Sequence, residues 1–188
     1  MNIAILVSGG GTNLQRIIDA IDSGELKHTK IQTVIADRDC FAIERALDKD
    51  LQVFLLERGK NLSEEINELL SEQNIDLIVL AGFLSILSAD FCARWTGKMI
   101  NIHPSLLPKF GGKGMYGAKV HQAVLDAGET ESGATVHFVT SGVDEGEIII
   151  RKSFPVEKGD TVKDLQEKVM KIEQEILIDA INKISRTL

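Results

Sequence analysis

The chain has 188 residues, of which 44% are hydrophobic and 26% are charged. A chain of this length buries a sufficient core without disulfides or metal ions, and its composition is typical of a globular protein rather than a disordered one. Its formal net charge of -7 at pH 7 disfavours a nucleic acid or an anionic membrane as the main partner.

The first half of the chain alternates short apolar runs with segments of helical periodicity. Strands are predicted over residues 2–7, 31–36, 52–56, 75–80 and 98–102. The helices predicted between them are one with Leu14, Ile17, Ile18 and Ile21 as its apolar face, one over 41–49, one capped by Asn61 and one over 88–95.

The pattern changes after Pro108. The predicted elements are a glycine-rich loop over 109–117, a helix over 120–127, strands over 134–139 and 147–154, and a final helix that starts at Thr161. A tight turn containing glycine and aspartate is expected to join the two strands, so that they extend the sheet in the antiparallel sense.

This order of elements predicts an α/β fold in one domain over residues 1–188. Strands that alternate with helices imply right-handed crossovers, and hence a doubly wound, mostly parallel sheet with helices on both faces and an antiparallel C-terminal extension. Ligands of such sheets bind beyond the carboxyl ends of the strands. Three segments are therefore candidates for a site: those after Val7, after Leu80 and after Met99.

The sequence also indicates the cellular compartment of the protein. Residues 1–7 are too short for a signal peptide, and the apolar stretch 77–87 is too short to span a bilayer. The two cysteines, Cys40 and Cys92, have no metal-ligand spacing, which favours free thiols in a reducing compartment. We expect a cytoplasmic protein.

Three glycines, at positions 9–11, follow the first strand directly. Glycines between a strand and a helix let the backbone approach an anion, and the helix N-terminus offers free N–H groups. The loop is not a P-loop, because no Gly-Lys-Ser/Thr follows. It does not match the dinucleotide fingerprint either, since Leu14 occupies the third glycine position, although Asp37 after the second strand still allows a nucleotide site. A single phosphate fits better, and a tight turn capped by Thr12 or Asn13 is the alternative.

Asn101 and His103 lie on the same face of a predicted strand, at its carboxyl end. Pro104 then ends the strand. An asparagine amide can donate to an oxyanion, and a histidine titrates near neutrality. A structural pair at a strand end is the alternative. A catalytic histidine needs an orienting carboxylate, for which Asp144 in a later turn is a candidate, although acids in turns are usually solvated.

His121 and His137 show no metal-ligand spacing, so we expect structural roles and no metal site. His137 lies in a predicted strand, where its side chain would face either a site or the core.

The segment Asn-Ile-His-Pro-Ser-Leu-Leu-Pro at 101–108 resembles the signature of the folate-dependent formyltransferases. The resemblance extends nearly end to end. It includes Gly11-Thr12-Asn13, Ala81-Gly82-Phe83, residues 133–139 and Val143-Asp144-Glu145-Gly146. The first loop and the short length favour members that act on glycinamide ribonucleotide.

The resemblance implies a role for each matching position. The substrate phosphate would be held by Gly11, Thr12 and Asn13, and Glu173 would lie near the substrate amine. The pterin pocket would be lined by Leu84, Ser85, Ile86, Leu87 and Asn101. The catalytic residues would be Asn101, His103 and Asp144. Residues 1–100 would form the phosphate-binding half of the domain, and residues 101–188 the catalytic and folate-binding half.

Three features depart from the family pattern. Ser85 stands where many members carry arginine, so that Arg58 or Lys60 would have to hold the folate tail. The loop over 110–120 is longer than in common members, and Met170 replaces a polar residue near the phosphate.

The activity implied is transfer of the formyl group of 10-formyltetrahydrofolate to the amine of glycinamide ribonucleotide, a step of purine synthesis. Asn101 would donate to the oxyanion, and a protonated His103, its pKa raised by Asp144, would stabilise it or protonate it. The alternatives are a methionyl-tRNA formyltransferase, a formyltetrahydrofolate hydrolase and a non-catalytic nucleotide-binding module. The first two carry an additional domain, and the third leaves Asn101, His103 and Asp144 unexplained.

Overall fold

The computed structural model describes residues 1–187 and is built around one sheet of seven strands. The strands are β1 (Asn2–Val7), β2 (Lys30–Ala36), β3 (Val53–Leu55), β4 (Leu77–Leu80), β5 (Met99–His103), β6 (Glu131–Phe138) and β7 (Ile148–Pro155). The helices are α1 (Thr12–Asp22), α2 (Phe41–Leu47), α3 (Leu62–Ser71), α4 (Ala89–Arg94), α5 (Ala118–Asp126) and α6 (Val162–Ser185).

The strand order is β3-β2-β1-β4-β5-β6-β7. The pairs among β1 to β5 are parallel, whereas β6 pairs antiparallel with both β5 and β7. The predicted fold class is therefore confirmed, including the antiparallel C-terminal extension. Within residues 1–187, no helix is both long enough and apolar enough to cross a membrane.

Alternate residues of β1 pack into two separate cores, one on each face of the sheet. Ile3, Ile5 and Val7 join a cluster with residues of α1, α2 and α6, whereas Ala4 and Leu6 join a cluster with residues of α3 and α4. A strand that is apolar on both faces is typical of the centre of a doubly wound sheet. The two cores fix β1, β4 and β5 as neighbours, and their carboxyl ends therefore lie side by side.

Two local predictions were wrong. Asn61 is at the N-cap position of α3, but its side chain makes no capping hydrogen bond. Residues 139–147 link β6 to β7, so the connection is a loop and not the tight turn expected there. The start of the last helix was predicted correctly, since Thr161 and Asp164 form a reciprocal capping box.

Candidate active site

A cavity of about 700 Å³ opens at the carboxyl ends of β1, β4 and β5. Its walls include residues from each of the three segments that the sheet topology favoured, such as Thr12, Leu84 and His103. Further wall residues come from the loop before α5, the loop after β6 and one face of α6. The cavity is therefore assembled from both halves of the chain.

Asn101, His103 and Asp144 meet in this cavity. Oδ2 of Asp144 lies 3.5 Å from Nδ1 of His103, and its Oδ1 lies 3.5 Å from Nδ2 of Asn101. The backbone N–H of Gly112 donates to Oδ2 over 2.9 Å. Asp144 has a φ of 58°, a left-handed conformation that is costly for a residue with a Cβ and is often found at functional sites. The three residues thus form one contact group, in which the backbone of Asp144 has an unfavourable conformation.

The 139–147 loop holds Asp144 in this position through Gly146. A Cβ added at Gly146 would collide with the backbone carbonyl oxygen of Phe138, so the loop can pack against the end of β6 only with glycine there. Glycine at this position is what allows a loop aspartate to approach a strand histidine.

His137 belongs to the same group, whereas the sequence analysis left its side chain facing either a site or the core. It pairs with Asn101 across the antiparallel β5–β6 ladder, and its Nε2 lies 3.1 Å from Nδ2 of Asn101 and 3.6 Å from Oδ1 of Asp144. Its Nδ1 lies 2.8 Å from the carbonyl oxygen of Phe138. In the neutral tautomer with Nδ1–H donating to that carbonyl, Nε2 accepts from the Asn101 amide. The strand register is the signal that would have identified this residue.

Asp144 is held in its anionic form. Burial alone would raise its pKa, but the adjacent imidazoles of His137 and His103 and the N–H of Gly112 favour the charged form and outweigh burial, and the pKa lies below its usual value. A carboxylate that stays charged beside an imidazole can orient it and stabilise its protonated form.

The prediction that His103 has a raised pKa was wrong. His103 is buried, and loss of hydration lowers its pKa below 6.5, while the opposing effects of Asp144 and of the Phe110 carbonyl are smaller. The influence of Asp144 has the expected sign, but burial outweighs it. Burial therefore favours the neutral imidazole in the free protein.

Both ring nitrogens of His103 face hydrogen-bond acceptors. Nε2 lies 2.9 Å from the carbonyl oxygen of Phe110, and Nδ1 faces Asp144. Phe110 itself has a φ of 54°, which turns its carbonyl toward the ring. Two acceptors suit the imidazolium, which has two N–H donors, so the surroundings favour proton uptake as soon as negative charge builds up nearby.

The glycine loop leads into α1 without a side-chain cap. Gly11 is the N-cap in the left-handed conformation, and neither Thr12 nor Asn13 caps the helix. The first-turn N–H groups are therefore free for an anion, and the capped-turn alternative does not hold. Gly10, Thr12 and Asn13 line the cavity.

The packing of the loop explains why residue 11 is a glycine. A Cβ added there would lie 2.7 Å from Cβ of Ala42 in α2, and the φ of 72° is itself unfavourable for other residues. Gly11 thus allows α2 to pack closely against the loop.

Residues 84–87 form another wall of the cavity. Leu84 and Ile86 expose apolar side chains at its mouth, and the backbone N–H of Leu84 donates to Oγ of Ser8 over 2.8 Å. An exposed apolar strip of this kind is suited to a flat aromatic ligand. Ser85 turns away from such a ligand, because its hydroxyl donates to Oδ2 of Asp37 over 2.5 Å.

Asp37 is buried and is engaged by cations as well. Arg38 donates to both of its carboxylate oxygens, and Nε of Arg58 lies 3.6 Å from Oδ2. These contacts give Asp37 a structural explanation that needs no nucleotide. Arg58 and Lys60, the two candidates for the folate tail, are both absent from the cavity wall formed by residues 1–187.

Two more titratable side chains line the cavity. Glu173 on α6 has no charged partner within residues 1–187, and burial raises its pKa to about 7. His121 on α5 is buried, and its pKa is lowered by burial and then by the proximity of the titratable His103. No three His, Cys, Asp or Glu side chains converge as a metal-ligand group in the described part of the chain.

Comparison with known proteins agrees with this geometry. Residues 1–181 match the family model described as formyl transferase. The phosphoribosylglycinamide formyltransferase of Haemophilus influenzae is 39% identical over 180 residues, which cover 93% of this chain and 82% of that protein. The trifunctional purine biosynthetic protein adenosine-3 of Bos taurus is 40% identical over 193 residues, which cover 97% of this chain but only 18% of that protein.

Solved structures give the same result. The phosphoribosylglycinamide formyltransferase of Anaplasma phagocytophilum is 30% identical, with a TM-score of 0.91 over 100% of this chain and 88% of that one. Glycinamide ribonucleotide transformylase 1 of Symbiobacterium toebii is 35% identical, with a TM-score of 0.89 over 96% of this chain and 85% of that one. The chain therefore belongs to the formyl transferase family.

Proposed function

We propose that this chain transfers the formyl group of 10-formyltetrahydrofolate to the amine of glycinamide ribonucleotide, giving formylglycinamide ribonucleotide and tetrahydrofolate. The observation that carries the proposal is the contact group of Asn101, His103 and Asp144, which lies in one cavity with an uncapped helix N-terminus and an apolar strip. Each feature answers one chemical need of the reaction.

The two substrates are assigned to different walls of the cavity. The free N–H groups at the start of α1, with Thr12 and Asn13 beside them, suit the phosphate of the ribonucleotide. Residues 84–87 form the wall for the pterin of the folate, with Leu84, Ile86 and Leu87 as its apolar side chains and the hydroxyl of Ser85 held by Asp37. Gly11 supports the phosphate wall through its packing on α2. Glu173, a carboxyl with a raised pKa, is assigned to the polar part of the ribonucleotide.

The reaction begins when the unprotonated amine attacks the formyl carbon and the carbonyl oxygen becomes an oxyanion. The 3.5 Å separation between Nδ2 of Asn101 and Asp144 is at the limit of a hydrogen bond, so a formyl oxygen can take that N–H instead. One such donor contributes about 3–4 kcal/mol to the stability of an oxyanion in acyl transfer.

His103 moves the proton. As a neutral imidazole it accepts the proton that the attacking nitrogen loses, and the resulting imidazolium stabilises the oxyanion. Asp144 stabilises the imidazolium through its fixed negative charge. The proton then passes to the folate nitrogen as the carbon–nitrogen bond breaks. This sequence needs no covalent enzyme intermediate and no metal.

The proposal includes the setting of the reaction. Cys40 and Cys92 are free thiols, which supports a reducing compartment such as the cytoplasm. Small molecules are the proposed partners, without nucleic acid or membrane. One domain over residues 1–188 is proposed, with the phosphate wall mainly from residues 1–100 and the reacting group from residues 101–188.

The test offers purified protein 10-formyltetrahydrofolate together with glycinamide ribonucleotide, with methionyl-tRNA, or with water alone. We expect formylation of the ribonucleotide only. Formate release without an acceptor would identify a hydrolase, and formylation of the tRNA alone would identify the other transferase. No consumption of the formyl donor in any of the three reactions would leave a binding module as the function.

A further inference from the structure

The charges that line the cavity are unevenly distributed. Two carboxyl groups, those of Asp144 and Glu173, face it, yet both proposed substrates are anions at neutral pH. Of the 21 lysines and arginines of the chain, only Lys113 lines the cavity within residues 1–187. Among the described residues, Lys113 is therefore the one positively charged side chain that an anionic ligand meets in this cavity.

Lys113 is free to serve a ligand. Its side chain is exposed and makes no salt bridge or hydrogen bond with any residue in the described range 1–187, whereas many of the other lysines and arginines pair with carboxylates. It stands between Gly112 and Gly114, which have φ values of 93° and 85°. The N–H of Gly112 is bonded to Asp144, so one end of this short segment is fixed at the reacting group.

The other cations near the carboxyl ends of the strands are already engaged. Arg38 and Arg58 surround the buried carboxylate of Asp37, and Arg45 donates to the carbonyl of Gly10 from behind the glycine loop. None of the three lines the cavity within the described chain. Their positive charge is partly cancelled or directed elsewhere, which leaves Lys113 as the positively charged side chain that can join the N–H groups of α1 in binding a substrate oxyanion.

We propose that Lys113 binds an oxyanion group of one of the two substrates, either the phosphate of the ribonucleotide or a carboxylate of the folate. This inference rests on the proposed function for the identity of the substrates. The ammonium group acts by charge and not by fixed geometry, because it is carried on a flexible stem between two glycines. Its contribution is to binding, so it does not alter the chemical step.

The test compares three variants in steady-state assays with each substrate varied in turn. Lys113→Gln removes the charge, Lys113→Arg keeps it, and Lys98→Gln is the matched control. Lys98 is also exposed and carries the same charge. It lies just before β5, at the amino-terminal end of the strand, whereas the cavity lies at the carboxyl end.

We expect Lys113→Gln to raise the KM of one substrate about tenfold while kcat and the other KM stay within about twofold. Lys113→Arg and Lys98→Gln should stay within about twofold of the unmodified protein. A rise confined to the ribonucleotide identifies the phosphate as the group bound, and a rise confined to the folate identifies a carboxylate. Unchanged values in Lys113→Gln would overturn the proposal, as would equal losses in Lys113→Gln and Lys113→Arg.

A binding measurement separates this inference from the proposed function. Calorimetry with inorganic phosphate and with folic acid needs no turnover, so it remains informative if the unmodified protein shows no transfer. Lys113→Gln should weaken the binding of one probe several-fold, and more so at low salt, because salt screens an exposed charge. Equal affinities for both probes in Lys113→Gln and in the unmodified protein would overturn the proposal whatever the activity.

Discussion

Nδ1 of His103 lies 3.5 Å from Oδ2 of Asp144, and the histidine is nonetheless buried deeply enough for its pKa to lie below its usual value. The charge of Asp144 raises the pKa of His103, and desolvation lowers it by more. The pair is therefore poised to take up a proton when negative charge develops in the cavity, as it does when a carbonyl is attacked.

The first prediction concerns this balance. An NMR titration of the free protein should give His103 a pKa below 6.5, and Asp144→Asn should lower the value further, because it removes the carboxylate whose charge opposes desolvation. A value above 6.5 in the unmodified protein, or the same value in both proteins, would contradict the proposed balance.

The second prediction concerns Glu173, whose pKa is raised to about 7 by burial. The folded protein holds this proton more tightly than the unfolded chain, so the associated stability is present below about pH 4.5 and is lost as the pH rises through 7. Glu173→Gln should therefore gain stability relative to the unmodified protein between pH 5 and pH 8, by at most about 3 kcal/mol.

Urea unfolding at both pH values measures this gain, with Glu175→Gln, an exposed carboxylate on the same helix, as the control. A difference in unfolding free energy between Glu173→Gln and the unmodified protein that does not change with pH would show that the carboxyl has an ordinary pKa.

The third prediction concerns the glycine loop. Gly11→Ala places a Cβ 2.7 Å from that of Ala42 at a positive φ, so it should cost about 2 kcal/mol of unfolding free energy and raise the KM of the ribonucleotide more than that of the folate. Gly10→Ala is the matched control, because nothing lies within 4 Å of its added Cβ. Its stability should change by less than about 0.5 kcal/mol. If the two KM values rose equally in Gly11→Ala, the loop would not be the phosphate site.

The fourth prediction concerns His137 as a positioning residue. His137→Phe removes the acceptor of the Asn101 amide and a contact that lowers the pKa of Asp144. We expect kcat to fall about tenfold and the acid limb of the pH–rate profile to move to higher pH, since the neighbouring His137 also lowers the pKa of His103, which must be neutral to accept the proton. An unshifted acid limb would mean that His137 contributes packing alone.

The fold was predictable because its signals are local and repeated. Apolar runs such as residues 2–7 and 75–80 mark strands buried on both faces, and their alternation with helices leaves few topologies. The carboxyl-end rule then located the site, and alternation along β5 put Asn101 and His103 together. These inferences need only neighbouring residues.

The remaining features depend on contacts between residues distant in sequence. The approach of Asp144 to His103 requires the path of the 139–147 loop, and the carbonyl of Phe110 reaches the ring only because the following loop turns back. The pKa of His103 depends on how much water the assembled fold excludes, a quantity that no short motif records. The role of His137 likewise depends on the β5–β6 register that pairs it with Asn101, a contact between strands distant in sequence.

The most direct test of the central claim measures single-turnover rates of Asn101→Ala and His103→Ala beside their thermal melts. Both residues act on a charge that exists only near the transition state, so each variant should lose about a hundredfold or more in rate while substrate Kd stays within a few-fold. The double variant should lose less than the product of the two, because both groups serve one oxyanion. A His103→Ala protein that is less stable yet transfers the formyl group at the unmodified rate would contradict the catalytic assignment.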